Sequence, residues 1–300
     1  MKSLEDYYVY DLLNESESVI HVKEEQLDTL WPKGYFEYTD SLYNRKAVRV
    51  QPSETKKHGG FEHAQYINYG DQIPQYRVYV EAGTQLLPYV NQIKGQHVLD
   101  VGCGYGDLAF ALERLGAASV TALDVHQENI DVCNKIKQNF NSKITFETRD
   151  VNDLDVEYLS RFNTVMAFNS LSWANCHIEF IKNTNKALVK NLIIVHNIRG
   201  LPMIDCVNDV LYNIKTPLLE LVYDEGYHYG GVGWEDNKMC LKAQTNLPFW
   251  TTTLDYFGWY IQDWSWQKNC TFNKQLINLG TYAKKFVFNC VNTNQGQQRP

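Results

Sequence analysis

The 300-residue sequence contains no two cysteines in a C-x-x-C spacing, although it has seven of them: Cys103, Cys133, Cys176, Cys206, Cys240, Cys270 and Cys290. An odd number without that spacing is neither a disulfide framework nor a zinc site. No apolar run approaches the length of a membrane span. The opening MKSLEDYYVYDLLNESES is acidic and carries no apolar signal core. The expectation is therefore a soluble, cytoplasmic protein. Basic residues are also in short supply: 28 lysines and arginines face 35 aspartates and glutamates, for a net charge of −7. A general duplex-binding surface needs cationic side chains to offset phosphate, so this balance disfavours nucleic acid as a partner. No internal repeat is visible.

What is present is material for a core. Hydrophobic residues make up 44% of the chain, and its length suits one large domain or a core domain with an elaborated end. Residues 1–76 read as an accessory or lid region, largely helical, with helix candidates at 3–13 and 23–30 and turn signals WPKG, HGG and YGDQIP. Residues 77–90 read as a helix that Pro88 ends or kinks. From residue 97 the pattern becomes regular. Strands at 97–101, 119–124, 143–148, 163–169 and 191–197 alternate with helices at about 106–115, 127–140 and 176–189. Asp153 and Asp155 read as helix-start residues. Such alternation predicts an α/β fold with right-handed crossovers and a parallel sheet buried on both faces. Further strands are expected at 258–266 and 283–291. The domain expectation is a core of 77–291 with a capping insertion at about 215–252, then a disordered tail at 292–300.

The chemistry concentrates in HVLDVGCGYGDLAF, residues 97–110, where Gly102, Gly104 and Gly106 follow an apolar run that contains Asp100. Ligands of open parallel sheets bind beyond the carboxyl ends of the strands, and this loop lies there. A dinucleotide loop, G-x-G-x-x-G counted from Gly102, needs glycine at 107, but the residue is Asp107, which repels a diphosphate. A cofactor with a positive sulfonium, an amino group and a carboxylate, but no phosphate, fits better. VLDVGCGYG resembles the first motif of class I S-adenosylmethionine-dependent methyltransferases. That resemblance implies a three-layer Rossmann-like fold with a mostly parallel seven-stranded sheet. It also implies a cofactor-binding set. Asp100, Gly102, Cys103, Gly104 and Gly106 form the loop. Asp124, with Val125 beside it, takes the ribose hydroxyls. Asp150 takes the adenine amino group, the Val151 backbone meets the ring, and Asn169 and Ser170 pass the methionine moiety. Tyr69 and Arg77 are candidates to reach the cofactor carboxylate from a lid.

After the fourth strand the chain reads Asn169-Ser170-Leu171-Ser172-Trp173, with no proline, unlike the Asn-Pro-Pro-Tyr pattern of many enzymes that methylate amino groups of bases. The expected partner is a small-molecule acceptor, with no membrane; a homodimer stays open. The stretch NSLSWANCHIEFIKN with IIVHNIRG is faintly similar to bacterial sugar O-methyltransferases. A hydroxyl acceptor calls for a base, and histidine suits that role. His196, ending a strand, is the first candidate and His228 the second, with His58 and His63 behind them. His97 faces the wrong end of the sheet, and His21, His126 and His177 read as exposed helix residues. Trp173, Tyr227 and Trp234 are candidates to line the acceptor pocket, whereas Trp259, Trp264 and Trp266 read as core. No metal is expected, because no ligand spacing is present. Alternatives are N- or S-methylation of a small metabolite, an RNA methyltransferase, and a non-catalytic module that binds the cofactor.

Overall fold

A computed structural model describes residues 20–21, 26, 28–43, 82–83, 85–168, 170–171, 177–197, 219–225, 239–245, 247–266, 270–272, 275–277 and 285–295. In chain order the first elements are β1 (Ile20–His21), α1 (Tyr35–Tyr43), a single turn Leu87–Tyr89 and α2 (Val90–Ile93). Then come β2 (His97–Val101), α3 (Asp107–Arg114), β3 (Ser119–Asp124), α4 (Gln127–Phe140), β4 (Thr145–Thr148) and α5 (Val156–Leu159). β5 (Thr164–Phe168), α6 (His177–Lys186) and β6 (Asn191–Asn197) complete the alternating part. The remainder is β7 (Leu219–Glu225), β8 (Met239–Thr245), α7 (Leu247–Tyr256), β9 (Trp259–Trp266), β10 (Cys270–Phe272), β11 (Gln275–Ile277) and β12 (Lys285–Asn292).

Seven strands form one sheet in the order β4-β3-β2-β5-β6-β12-β9. The first five are parallel, β12 runs antiparallel to β6, and β9 antiparallel to β12. Each central strand is apolar on both sides because each side carries a layer of helices. One layer packs Ala109, Phe110, Ile130, Cys133 and Ile136 of α3 and α4 on Val98, Val120, Met166 and Val195. The other packs Phe180, Ile181, Trp250 and Leu254 of α6 and α7 on Leu99, Val165, Leu192 and Ile194. Helix α4 illustrates the local logic. Ile130, Cys133 and Ile136 repeat at three-residue intervals and give one buried stripe, and Asn141 in the left-handed conformation ends the helix at φ 52°.

Three features add to the expectation. First, the WPKG turn starts α1, with the Tyr35 N–H donating to Pro32 O at 3.0 Å. Leu30, Trp31, Tyr35 and Phe36 are buried with the α3 and α4 residues, so this part of the accessory region belongs to the core. Second, the region read as an insertion contains the antiparallel pair β7 and β8 and the start of α7, whose Trp250 is fully buried. Third, the start of the tail is ordered: residues 293–295 make a helical turn. Asn185 Nδ2 donates to Asn292 Oδ1 at 3.1 Å, and Asn294 Nδ2 donates to Asn185 Oδ1 at 2.8 Å. Amides that satisfy one another fix a polar segment that composition alone marks as loose. Among the described residues no helix is long and apolar enough to cross a membrane.

Candidate cofactor and acceptor site

The loop 102–106 leaves β2 where the strand order reverses, with β3 and β4 on one side and β5 and β6 on the other. Open α/β sheets bind ligands at that switch point. The loop is held firmly. The Cys103 N–H donates to Leu123 O at 2.7 Å and the Gly106 N–H to Cys103 O at 2.9 Å. The Gly104 N–H donates to Asp124 Oδ2 at 2.9 Å.

Two of the glycines serve different ends. Gly102 sits at φ 75°, and a Cβ there would overlap the Ser170 side chain beyond β5, so this glycine lets two loops of the protein touch. Gly104 sits at φ 55°, and among the described residues a Cβ there would meet nothing within 4 Å. A glycine with an open side lets a ligand approach the backbone.

The acidic residues stand at successive strand ends. Asp100 is almost fully buried on β2, and its Oδ2 has no hydrogen-bond partner among the described residues. Burial, and then the neighbouring Asp124 carboxylate, push its pKa from 3.8 to about 7. Asp124, at the end of β3, accepts from the Gly104 N–H, from the His126 N–H at 2.9 Å and from Asn129 Nδ2 at 3.1 Å. A carboxylate offers about four acceptor sites, so most of its capacity already serves the protein. Asp150 uses Oδ1 for the Asn152 N–H and for Asn152 Nδ2, at 2.9 and 2.7 Å. Val125 is exposed beside Asp124, and Val151 is half-buried beside Asp150. Ser170 Oγ, across from Gly102, is buried without a partner. Asp155 caps α5, accepting from the Tyr158 N–H at 2.7 Å.

These groups fit a cationic, phosphate-free cofactor. A buried carboxylate with one oxygen unsatisfied is costly by itself and is relieved by a cation. Cys103 in the loop remains a thiol. Its hydrogen bond with Cys133 and its burial both push its pKa well above the ordinary value.

The histidines differ most from the expectation. His196 stands one residue before the end of β6, but its side chain is wholly buried, where a base open to an acceptor was expected. It lies on the face of Leu192 and Ile194, with its ring 4.8 Å from that of Trp250. His177 is buried as well, against the reading of an exposed helix residue. Its ring lies 5.5 Å from His196, 5.3 Å from Trp250 and 5.8 Å from Phe249. The first turn of α6 turns inward there, and burial lowers the His177 pKa from 6.5 to about 4. His97 is exposed at the start of β2, its Nδ1 2.7 Å from Ser119 Oγ. Trp259 is core as expected, its indole N–H donating to Ile181 O at 3.1 Å.

Tyr69, Arg77, Asn169, Trp173, Tyr227, His228 and Trp234 lie outside the described residues, as do His58 and His63. Among the described residues no group of three or more histidines, cysteines or acids could hold a metal ion. The sequence reading missed one group beside the loop. The Trp31 indole N–H donates to Asp107 O at 3.0 Å and the Tyr35 hydroxyl to Asp107 Oδ1 at 2.9 Å. The clustered aromatics of WPKGYF were the available signal.

Residues 98–191 match the family described as "Methyltransferase domain". The chain is 35% identical over 107 residues to a ubiquinone biosynthesis O-methyltransferase of Coxiella burnetii, covering 35% of this chain and 44% of that protein. It is 28% identical over 145 residues to the enzyme of the same name from Vibrio campbellii, covering 48% of this chain and 61% of that protein. The chain thus spans less than two thirds of these relatives' lengths. Among solved structures, the N-terminal domain of EvdMO1 with S-adenosylhomocysteine bound shares the fold. Its TM-score is 0.50 at 14% identity, covering 74% of this chain and 81% of that one. Residues 98–191 are thus similar to a methyltransferase domain, and the chain shares the fold of that solved structure.

Proposed function

We propose that this chain is an S-adenosylmethionine-dependent methyltransferase acting on a small-molecule acceptor, with a hydroxyl as the methylated group and sugars among the candidate acceptors. The observation that carries this reading is Asp100. Its buried Oδ2 has no hydrogen-bond partner among the described residues, and the Asp124 carboxylate close by adds to its unfavourable charge. The bound cofactor supplies a methyl group on a cationic sulfur. Asp100 offsets the positive charge, Asp124 offers its remaining acceptor capacity to the ribose, and Asp150 accepts from the adenine amino group. Aligning donor and acceptor for in-line displacement is then the main task. The ubiquinone biosynthesis O-methyltransferases among the relatives are named for O-methylation, which supports an oxygen acceptor here. The acidic balance and the free thiols of Cys103, Cys133 and Cys290 support a cytoplasmic setting.

One observation favours N- or S-methylation of a small molecule as a second reading. His177 and His196 are closed off among aromatic rings, so neither ring is exposed to an acceptor that needs deprotonation. A nucleophilic nitrogen or sulfur needs no base. Calorimetry with S-adenosylmethionine and with NADH tests the cofactor. Methyl-labelled cofactor incubated with fractionated small molecules, followed by mass spectrometry of the labelled product, tests the acceptor. Binding of NADH alone, or label found only in RNA, overturns the proposal.

A further inference from the structure

We propose that residues 28–43 are part of the cofactor site, and that Tyr35 is a positioning residue acting on the glycine loop through Asp107. The inference rests on the cofactor reading above.

Asp107 is the first residue of α3 and directly follows Gly106, the last residue of the loop. Two donors from the N-terminal segment fasten it: the Trp31 indole N–H on its carbonyl oxygen and the Tyr35 hydroxyl on its carboxylate, at 3.0 and 2.9 Å. Neither donor is free to drift. Trp31 and Tyr35 are buried, and the Tyr35 ring is wedged 5.3 Å from Phe110 of α3 and 5.7 Å from Phe140 of α4. The loop is therefore held at both ends. Asp124 and Leu123 O hold it on the β3 side, and the N-terminal segment holds it on the α3 side.

The hydroxyl also decides where a negative charge goes. A carboxylate in the first turn of a helix is drawn to the free N–H groups of that turn. Those same groups attract a ligand carboxylate arriving at the loop. A Tyr35 bond to Asp107 Oδ1 engages the acid elsewhere, so that it does not compete with the carboxylate of the cofactor. The fold could have satisfied Asp107 with water. Instead it places a buried tyrosine there from a segment more than seventy residues earlier in the chain.

Tyr35→Phe removes only the hydroxyl and keeps the wedged ring. The expected result is a five- to tenfold weaker Kd for S-adenosylmethionine, about what one ordinary hydrogen bond is worth, because the lost bond acts on the loop and not on the cofactor itself. Hydrogen exchange at the amides of residues 102–107 should quicken in the same variant without any ligand. Asp107→Ala should make the Tyr35 change silent: the double variant should bind as Asp107→Ala alone does. Arg114→Ala is the control. It removes the exposed Arg114 Nε bond to Thr29 O, 3.1 Å, and leaves both bonds to Asp107 in place. Its Kd should match the wild type. Unchanged binding and exchange in Tyr35→Phe overturn the proposal. So do additive losses in the double variant, or an equal loss in Arg114→Ala. A wild-type protein that fails to bind S-adenosylmethionine overturns the cofactor reading instead, and the exchange data then decide whether Tyr35 governs the loop.

Discussion

The Gly104 N–H donates to Asp124 Oδ2 at 2.9 Å, so the glycine loop and the end of β3 are held as one piece. The carboxylate that the family resemblance assigns to the ribose is thus also a structural anchor. Removing it should do two things at once. Asp124→Ala leaves the Gly104 N–H, the His126 N–H and Asn129 Nδ2 without their acceptor, which should cost about 2–4 kcal/mol in urea unfolding. Asp124→Asn keeps one oxygen in place and should cost less than half of that. Both variants should bind S-adenosylmethionine at least about tenfold more weakly. Equal stability in Asp124→Ala and the wild type would remove the anchoring role.

Gly102 and Gly104 should respond differently to the same added methyl. In Gly102→Ala the new Cβ overlaps Ser170 at a backbone angle of φ 75°, and the loss of stability should be about 2–4 kcal/mol. Gly104→Ala pays only for its positive φ, about 1 kcal/mol, because nothing stands near. Its effect should fall on cofactor affinity. Adding Ser170→Gly to Gly102→Ala should restore part of the stability, since it deletes the atoms in conflict. Denaturant midpoints of the three variants check this, and a Gly104→Ala change as damaging as Gly102→Ala would reverse the assignment.

Cofactor binding should also move a proton. Burial and Asp124 hold Asp100 near a pKa of about 7, so close to half of it is protonated in neutral solution. A cation brought beside it favours the ionised form and lowers that pKa. Binding of S-adenosylmethionine should therefore release a fraction of a proton at pH 7. Calorimetric enthalpies in buffers of different ionisation heat measure that fraction. Asp100→Asn should bind with no such buffer dependence in the same range.

The sequence made some levels of this structure legible and hid others for physical reasons. The strands 97–101, 119–124 and 191–197 and the helix 127–140 stand where the apolar runs put them, because a sheet buried on both faces needs unbroken apolar segments. Asp100, Asp124 and Asp150 could be placed because Asp100 interrupts such a run near its end and the other two end or closely follow one. His177 and His196 could not, because a histidine in a helix or at a strand end has no pattern that distinguishes a buried ring from an exposed one. Their burial depends on Trp250, which arrives from a helix more than fifty residues later. The contact of Tyr35 with Asp107 is likewise a matter of tertiary packing, since local propensity around WPKGYF predicts only a turn.

Asp100 and His177 should tilt the pH dependence of stability in opposite directions. The folded pKa of Asp100 is raised from 3.8 to about 7, so the native state keeps a proton that the unfolded chain loses. Its contribution is fully present below pH 3.8 and is lost as pH rises to about 7. The folded pKa of His177 is lowered from 6.5 to about 4, so the unfolded chain takes up a proton that the native state refuses. Its contribution is present above pH 6.5 and is lost as pH falls to about 4. Between those limits the two slopes have opposite sign, each at most roughly 1.4 kcal/mol per pH unit, and they largely cancel. Single variants should uncover them. With Asp100→Asn the His177 slope stands alone, so stability should rise with pH from 4.5 to 6.5 more steeply than in the wild type. With His177→Gln the Asp100 slope stands alone, and stability should fall over the same range relative to the wild type. Urea midpoints of the ligand-free proteins at pH 4.5, 5.5 and 6.5 decide the matter. Every other carboxylate contributes equally to all three curves, so only their differences count. Curves that run parallel would mean that neither side chain is held in the protonation state its burial demands.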